Sequence, residues 1–260
     1  MHPKNFSDAF QNTLATNELN KLGIPFDFAK PAAFIQFLAN ICTEQNDIIL
    51  DFFSGSGTTA HAVMQQNATD GGHRRFILVQ LPETTDEKSE AYKSGYKTIC
   101  DIGRERIRRA GTKIVSDTGQ TDLDIGFRAL RIDSSNMSDG IMSTPGQTVQ
   151  SDLLSRVDNI KQGRGSLDLL FGVMIECGIA LDSGILTKNH HGQTYYSVNN
   201  GELIACFDNE LCPELICEIA RQKPMCAVFR DSSFADAKDK INVSEIFKNF
   251  CGDDKCLRIL

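Results

Sequence analysis

An α/β fold built on parallel strands is what these 260 residues predict. Three observations carry the prediction. Short apolar runs, IILDFF (48–53) and RRFILVQL (74–81), alternate with stretches whose apolar residues recur at helical spacing. A glycine-rich turn, SGSG (54–57), leaves the first run directly and opens a helix-like stretch. Further apolar runs and helical patterns alternate in the last part of the chain. Strand, tight turn, helix is the layout that places a ligand outside the carboxyl end of a parallel strand.

Residues 1–25 are polar, with few periodic apolar positions, and read as a lead-in. From Pro31 a helix is expected with Phe34, Ile35, Leu38 and Ile41 on one face, proline suiting its first turn. Asn46-Asp47 marks a turn into the strand 48–53. The helix TTAHAVMQQNA follows the glycines, and Asp70-Gly71-Gly72 ends it before a second strand, Phe76 to Leu81. A right-handed crossover between the two strands is expected. GYKTICDIGRERIRRAG reads as a helix with Ile99, Ile102 and Ile107 inward and charges outward. Glu105 and Arg109, four apart, are spaced to pair. IGFRALRID (125–133) reads as a strand, closing a first domain over 26–133. Ser, Gly and Pro then make 134–150 a linker.

The remainder, 151–260, reads as a small second α/β domain. SLDLLFGVMIECG is an apolar helix stopped by Gly178, and two strands flank the hairpin signal Asn200-Gly201. A helix over DNELCPELICEIARQ, a strand MCAVFRD, a helix KINVSEIFKNF and a last strand CLRIL complete it.

Charge is uneven. Residues 1–115 carry 13 Lys and Arg against 13 Asp and Glu, whereas the rest carry 14 against 21, the whole of the net −7. Phosphate neutralisation needs clustered positive charge, so the second half is not a primary DNA binder and its natural partner is another protein. Nine cysteines form no C-x-x-C; Cys212 with Cys217 and Cys251 with Cys256 are spaced too loosely for a zinc knuckle, and His190 and His191 fall in a polar loop. Reduced, mostly buried thiols are expected, and no metal. No run approaches the roughly 20 apolar residues of a membrane helix, and the start lacks a basic-then-apolar pattern. A cytoplasmic protein is expected.

The glycine turn admits several readings. A phosphate-gripping loop needs a lysine after Gly57, and a hydrolase elbow needs glycine where Ser54 stands; neither fits. Gly55, Gly57 and Ala60 satisfy the looser dinucleotide pattern, which leaves a nicotinamide-dependent oxidoreductase and a merely structural turn open. Asp51 ends the first strand, and Glu83 follows the second, where a ribose diol would be held if the strands are neighbours. His61 reads as a packed or solvent-facing residue. Arg104, Arg106, Arg108 and Arg109 read as one solvated face balanced by Asp101 and Glu105 rather than as phosphate contacts. Tyr195-Tyr196 reads as strand packing.

DFFSGSGTTAHAV resembles the S-adenosylmethionine-binding motif of amino-methylating DNA methyltransferases, D-x-F-x-G-S-G-T; Asp51, Phe53, Gly55, Ser56, Gly57 and Thr58 match it. FDFAKPAAFIQFL resembles the neighbouring methionine-side motif, with Lys30-Pro31 as its signature, and RRFILVQLPE the second-strand motif with Glu83. Segments through residue 260 are similar to those of modification (Mod) subunits of type III restriction–modification systems. The resemblance implies an incomplete three-layer sandwich of the S-adenosylmethionine-dependent methyltransferase type, followed by a small α/β domain. It implies S-adenosylmethionine as cofactor, adenine N6 as target, and Lys30, Pro31, Asp51, Phe53, Gly55, Ser56, Gly57, Thr58 and Glu83 as cofactor-binding residues. Its partners would be DNA, a restriction (Res) subunit, and a second copy or a complementing N-terminal half. The base-gripping Asp-Pro-Pro-Tyr loop has no match, since all seven prolines are isolated, so no catalytic residue is assigned. The chain thus looks like the cofactor-side, C-terminal portion of such an enzyme. A non-catalytic interaction module keeping the nucleotide-binding shape is the rival reading.

Overall fold

The computed structural model describes residues 12–26, 28–138 and 160–260. The chain divides into two units, Met1–Leu130 and Arg131–Leu260. Among the described residues no helix is long and apolar enough to cross a membrane.

The first unit holds helices α1 (Asn12–Lys21), α2 (Ala32–Cys42), α3 (Thr58–Asp70), α4 (Glu90–Lys93) and α5 (Ile99–Thr118), with strands β1 (Ile48–Asp51) and β2 (Arg75–Leu78). The strands are parallel neighbours, Ile49 opposite Phe76 and Asp51 opposite Leu78. Parallel neighbours need a crossover, and α3 supplies it. Side chains fix the return into β2: Asn67 Nδ2 donates to Arg74 O at 2.9 Å, and Arg74 pairs with Asp70 at 2.9 Å. Packed against both α2 and α5, α3 is buried along most of its length.

Ala60 and Met64 of α3, together with Ile102, Ile107, Ala110 and Ile114 of α5, form the core, and Phe76 and Leu78 pack on it. Ala15, Leu19, Leu22 and Ile24 join them. The stretch expected as a polar lead-in is therefore, from Asn12 on, a core element. Ala15 and Leu19 lie four apart on one helical face, a pattern too short to stand out among polar neighbours.

The opposite face of the sheet is bare. Ile48, Leu50, Ile77 and Val79 are 50%, 58%, 51% and 43% exposed. Leu38 and Ile41, on the one apolar face expected of α2, are exposed too; α2 buries Ala32 and Ala39, small side chains that suit a close approach to α3. Of the incomplete three-layer sandwich expected, two layers stand among the described residues and the third has no counterpart there. The strand expected over 125–133 is also not formed. Its alternation does place Ile125 and Phe127 on the core, but no ladder partner stands beside it among the described residues.

The second unit carries α6 (Ser166–Glu176), α7 (Pro213–Arg221), α8 (Ala237–Cys251) and a five-stranded sheet ordered β3-β4-β5-β6-β7. Its strands are β3 (Ile185–His190), β4 (Gln193–Val198), β5 (Leu203–Cys206), β6 (Cys226–Phe229) and β7 (Leu257–Ile259). The first two pairings are antiparallel and the last two parallel. Leu203, Ala205 and Val228 pack with Leu169, Leu170 and Val173 of α6. Ile204, Cys206, Ala227 and Phe229 pack with α7 and α8 through Leu215, Ile219, Val243 and Phe247. The sheet is covered on both faces.

The predicted hairpin turns at Asn200 and Gly201, both at positive φ. A second hairpin, β3 to β4, was not predicted: His190 ends β3 and His191-Gly192 make its turn at φ +50° and +87°, so these histidines belong to a hairpin rather than a polar loop. Tyr195 is packed, 2% exposed, with its hydroxyl donating to Glu218 Oε1 at 2.8 Å. The cysteines are all free thiols, but only Cys206 is buried; seven are partly buried and Cys42 is exposed. Of the linker expected over 134–150, residues 139–150 lie outside the described residues.

Candidate functional site

The turn after β1 is held from the side by β2 and from beneath by α5. Asp51 is tied down locally: Oδ1 accepts from Phe53 N at 3.1 Å and Oδ2 from Thr59 Oγ1 at 2.5 Å. Ser54 N then donates to Val79 O at 3.2 Å, and Gly55 N to Gln80 Oε1 at 2.8 Å. Gly55 and Gly57 take φ of +51° and +76°, the left-handed region where glycine carries no Cβ penalty.

Gly103 of α5 lies directly under this loop. A Cβ on Gly57 would stand 3.2 Å from Gly103 O, and one on Gly103 would stand 3.3 Å from Gly55 O. Helix and loop therefore meet backbone to backbone. A capping box starts α5 in place, with Thr98 Oγ1 accepting from Asp101 N at 3.2 Å and Asp101 Oδ2 from Thr98 N at 2.8 Å. Such caps contribute about 1 kcal/mol.

The loop's hydroxyls turn inward. Ser56 and Thr58 are 2% and 7% exposed. Their partner is Arg106, fully buried, whose Nη1 donates to Ser56 Oγ at 2.9 Å and to Thr58 Oγ1 at 2.7 Å. Its Nη2 donates to Glu18 Oε2 of α1 at 3.0 Å and approaches His61 Nδ1 at 3.5 Å. Burial pushes the guanidinium down to about 10, while Glu18 partly restores it, so the group stays cationic at neutral pH. Burial raises Glu18. Burial, aided by the Arg106 charge, lowers His61 to about 3, so its imidazole is neutral.

Arg106 thus departs from the solvated face expected for the four arginines. The other three fit it: Arg104 pairs with Asp101, and Arg108 and Arg109 with Glu105 at 3.5 and 2.7 Å. A signal for Arg106 was present, since Ile102, Arg106 and Ala110 are four apart on the buried face. Glu18 offered none.

The remaining candidates surround this centre. Lys30 is exposed, and its carbonyl accepts from Thr58 Oγ1 at 3.4 Å, which links the Lys30-Pro31 segment to the loop. Pro31 is buried at the head of α2. Phe53 is 83% exposed, its ring 5.2 Å from that of Phe52. Glu83 is exposed three residues beyond Gln80, and its carbonyl accepts from Ile99 N at 2.9 Å at the start of α5. The outer rim is thus main chain at Ser54–Thr58, an aromatic ring and a carboxylate. α3 begins at this rim with no side-chain cap, and a Cβ on Gly55 would meet nothing nearer than 4.0 Å.

Residues 2–106 match the family model described as DNA methylase. The same region is 43% identical over 106 residues to the type III restriction-modification enzyme StyLTI Mod subunit of Salmonella typhimurium, covering 41% of this chain and 16% of that protein. The EcoPI Mod subunit of Escherichia phage P1 is 37% identical over 127 residues, covering 48% and 20%. The type II methyltransferase M.KpnI of Klebsiella pneumoniae is 40% identical over 101 residues, covering 38% and 24%. These matches span less than a quarter of each relative's length. The family match takes in every candidate residue named above, from Lys30 to Glu83. The likeness expected to run on through residue 260 is not carried by these matches: the family match ends at residue 106.

Proposed function

We propose that residues 26–133 are the S-adenosylmethionine-binding part of a DNA methyltransferase acting on adenine N6, of the type III modification kind. One observation carries the reading: the loop after β1 turns its Ser56 and Thr58 hydroxyls inward, and it lies within the stretch that matches the DNA methylase family. The main chain of Gly55–Thr58 would line the methionine end, with the Lys30-Pro31 segment beside it. Phe53 would cover the cofactor, and Glu83 would accept from the ribose hydroxyls. The cofactor, when bound, supplies a methyl group on a sulfonium; this chain's residues bind and orient it.

The loop that grips the flipped adenine would come from other polypeptide, since no Asp-Pro-Pro-Tyr is present. The bare face at Ile48, Leu50, Ile77 and Val79 supports this, because parallel sheets are ordinarily covered on both faces. A complementing half, or a second copy, would supply the third layer of a sandwich. DNA would be bound by the completed enzyme, and the acidic second unit would meet a Res subunit. The bare face also favours a second reading, an interaction module that keeps the nucleotide-binding shape without using it.

Calorimetric titration of the chain with S-adenosylmethionine, S-adenosylhomocysteine and NAD separates the readings. Saturable heat with the two methionine cofactors and none with NAD is expected. Binding of NAD alone overturns the proposal in favour of an oxidoreductase, and heat with none of the three favours the interaction module.

A further inference from the structure

Arg106 is an unusual residue to find at zero exposure. Burying a guanidinium costs several kcal/mol unless every contact is good, and an apolar side chain of similar length would fill the space without that cost. The charge is nevertheless held in the middle of the unit by a single carboxylate, Glu18, itself 27% exposed. Nε has no acceptor among the described residues. What the charge does reach is the glycine loop, through two of its three hydroxyls, Ser56 and Thr58.

Those two bonds have a directional consequence. Guanidinium nitrogens only donate, so Ser56 Oγ and Thr58 Oγ1 are forced to accept. Both side chains are drawn under the loop, and the outer surface is left to backbone. Besides these bonds, the loop rests on α5 through Gly103 and the side chain of Ile107. Gly57 and Gly103 touch without side chains, and Gly55 and Gly57 are the two most permissive positions a turn can have. His61, next to the same guanidinium, is kept neutral and adds no competing charge.

We propose that Arg106 is the positioning residue of the 54–58 loop: anchored by Glu18, it draws Ser56 and Thr58 inward and so sets the backbone rim that meets the ligand. As to the ligand, this rests on the reading of that rim as a cofactor cradle. The brace itself is a property of the chain and is measurable without any ligand.

The test uses the full chain with Arg106→Met, Arg106→Lys, Glu18→Gln and the double variant Ser56→Ala/Thr58→Val. Amide hydrogen exchange is read at residues 54–59, along the rest of α3 and α5, and at β5 as an internal reference. Arg106→Met is expected to speed exchange in the loop by about tenfold or more, with β5 unchanged and the remainder of α3 and α5 affected far less, as suits the loss of charge-assisted bonds. Arg106→Lys should restore only part of the protection, because one ammonium cannot reproduce the planar fork. Ser56→Ala/Thr58→Val keeps the cation and should reproduce the loop effect even if Arg106→Met fails to fold. S-adenosylhomocysteine affinity should fall by about tenfold in parallel.

Uniform acceleration across α3, α5 and the loop would make Arg106 a general stability residue and overturn the proposal. So would an unchanged loop in the double variant. If the loop responds as expected while the unmodified chain binds no S-adenosylhomocysteine, the brace stands and the cofactor reading fails.

Discussion

The two units bury parallel strands of similar composition in different ways. β5, LIAC, is buried at all four residues, with α6 on one side and α7 and α8 on the other. β1, IILD, alternates exposed and half-buried residues, and its neighbour β2 packs Phe76 and Leu78 on the core. Continuous apolar runs are what parallel strands show when both faces are covered. β1 and β2 are therefore written for a cover that the described residues of the first unit do not supply. Their cores differ as well: among the described residues, eight of the ten buried polar or charged ones lie in the first unit. The second unit stands on apolar packing, and the first on a polar centre beneath its loop.

Acidification should break that comparison most strongly. His61 has a folded pKa of about 3 against an ordinary 6.5, so below 6.5 the unfolded chain binds a proton that the fold refuses. Stability from this group is complete above about 6.5 and falls toward 3 by about 1.4 kcal/mol per pH unit. Glu18, raised by burial, acts in the opposite sense just above the ordinary carboxylate range, since the fold there takes up its proton first. Urea unfolding between pH 7 and 4, read separately in each unit by hydrogen exchange, should show the first unit losing stability while the second holds. His61→Phe should flatten the slope.

Packing gives the next contrast. Phe229→Ala in β6, at 0% exposure, should cost about 3–5 kcal/mol in urea unfolding of the second unit. Leu50→Ala in β1, 58% exposed, should change the first by no more than about 0.5 kcal/mol. A large loss at Leu50 would mean that its face is covered in solution.

At the loop, Gly55→Ala and Gly57→Ala separate torsion from crowding. Both should lose about 1–2 kcal/mol for placing a side chain at positive φ. Gly57→Ala should lose more, since its methyl meets Gly103 O at 3.2 Å, and thermal unfolding would rank the two. The smallest effect is expected from Ile48→Thr with Ile77→Thr. Stability should move by about 0.5 kcal/mol at most, while binding of a hydrophobic dye drops as the bare apolar patch shrinks.

Much of this architecture was legible. The strand, glycine turn and helix between Ile48 and Asp70 follow from an apolar run, two glycines and a closing Asp-Gly-Gly, all local signals. The Asn200-Gly201 hairpin was equally local, and so was the helix read over 95–111, which the structure starts at Ile99 and carries on to Thr118. What escaped was set by partners distant in sequence. Residues 125–133 have strand-like alternation but join no strand ladder among the described residues. Leu38 and Ile41 lie on a helical face whose cover is not among the described residues. The inward turn of Ser56 and Thr58 depends on Arg106, about fifty residues on, and Arg106 in turn on Glu18, 88 residues before it. His191-Gly192 lacks the Asn-Gly or Asp-Gly signature of a tight hairpin, so that turn shows only in the pairing of β3 with β4.

The facing of Gly57 and Gly103 has one further consequence. A methyl group on Gly57 would press on Gly103 O at 3.2 Å, and one on Gly103 on Gly55 O at 3.3 Å, so a side chain on either segment obliges the other to give by a few tenths of an ångström. Chimeras with related sequences should therefore exchange residues 48–63 and 98–110 as one block; grafting either alone would leave two surfaces cut to different templates.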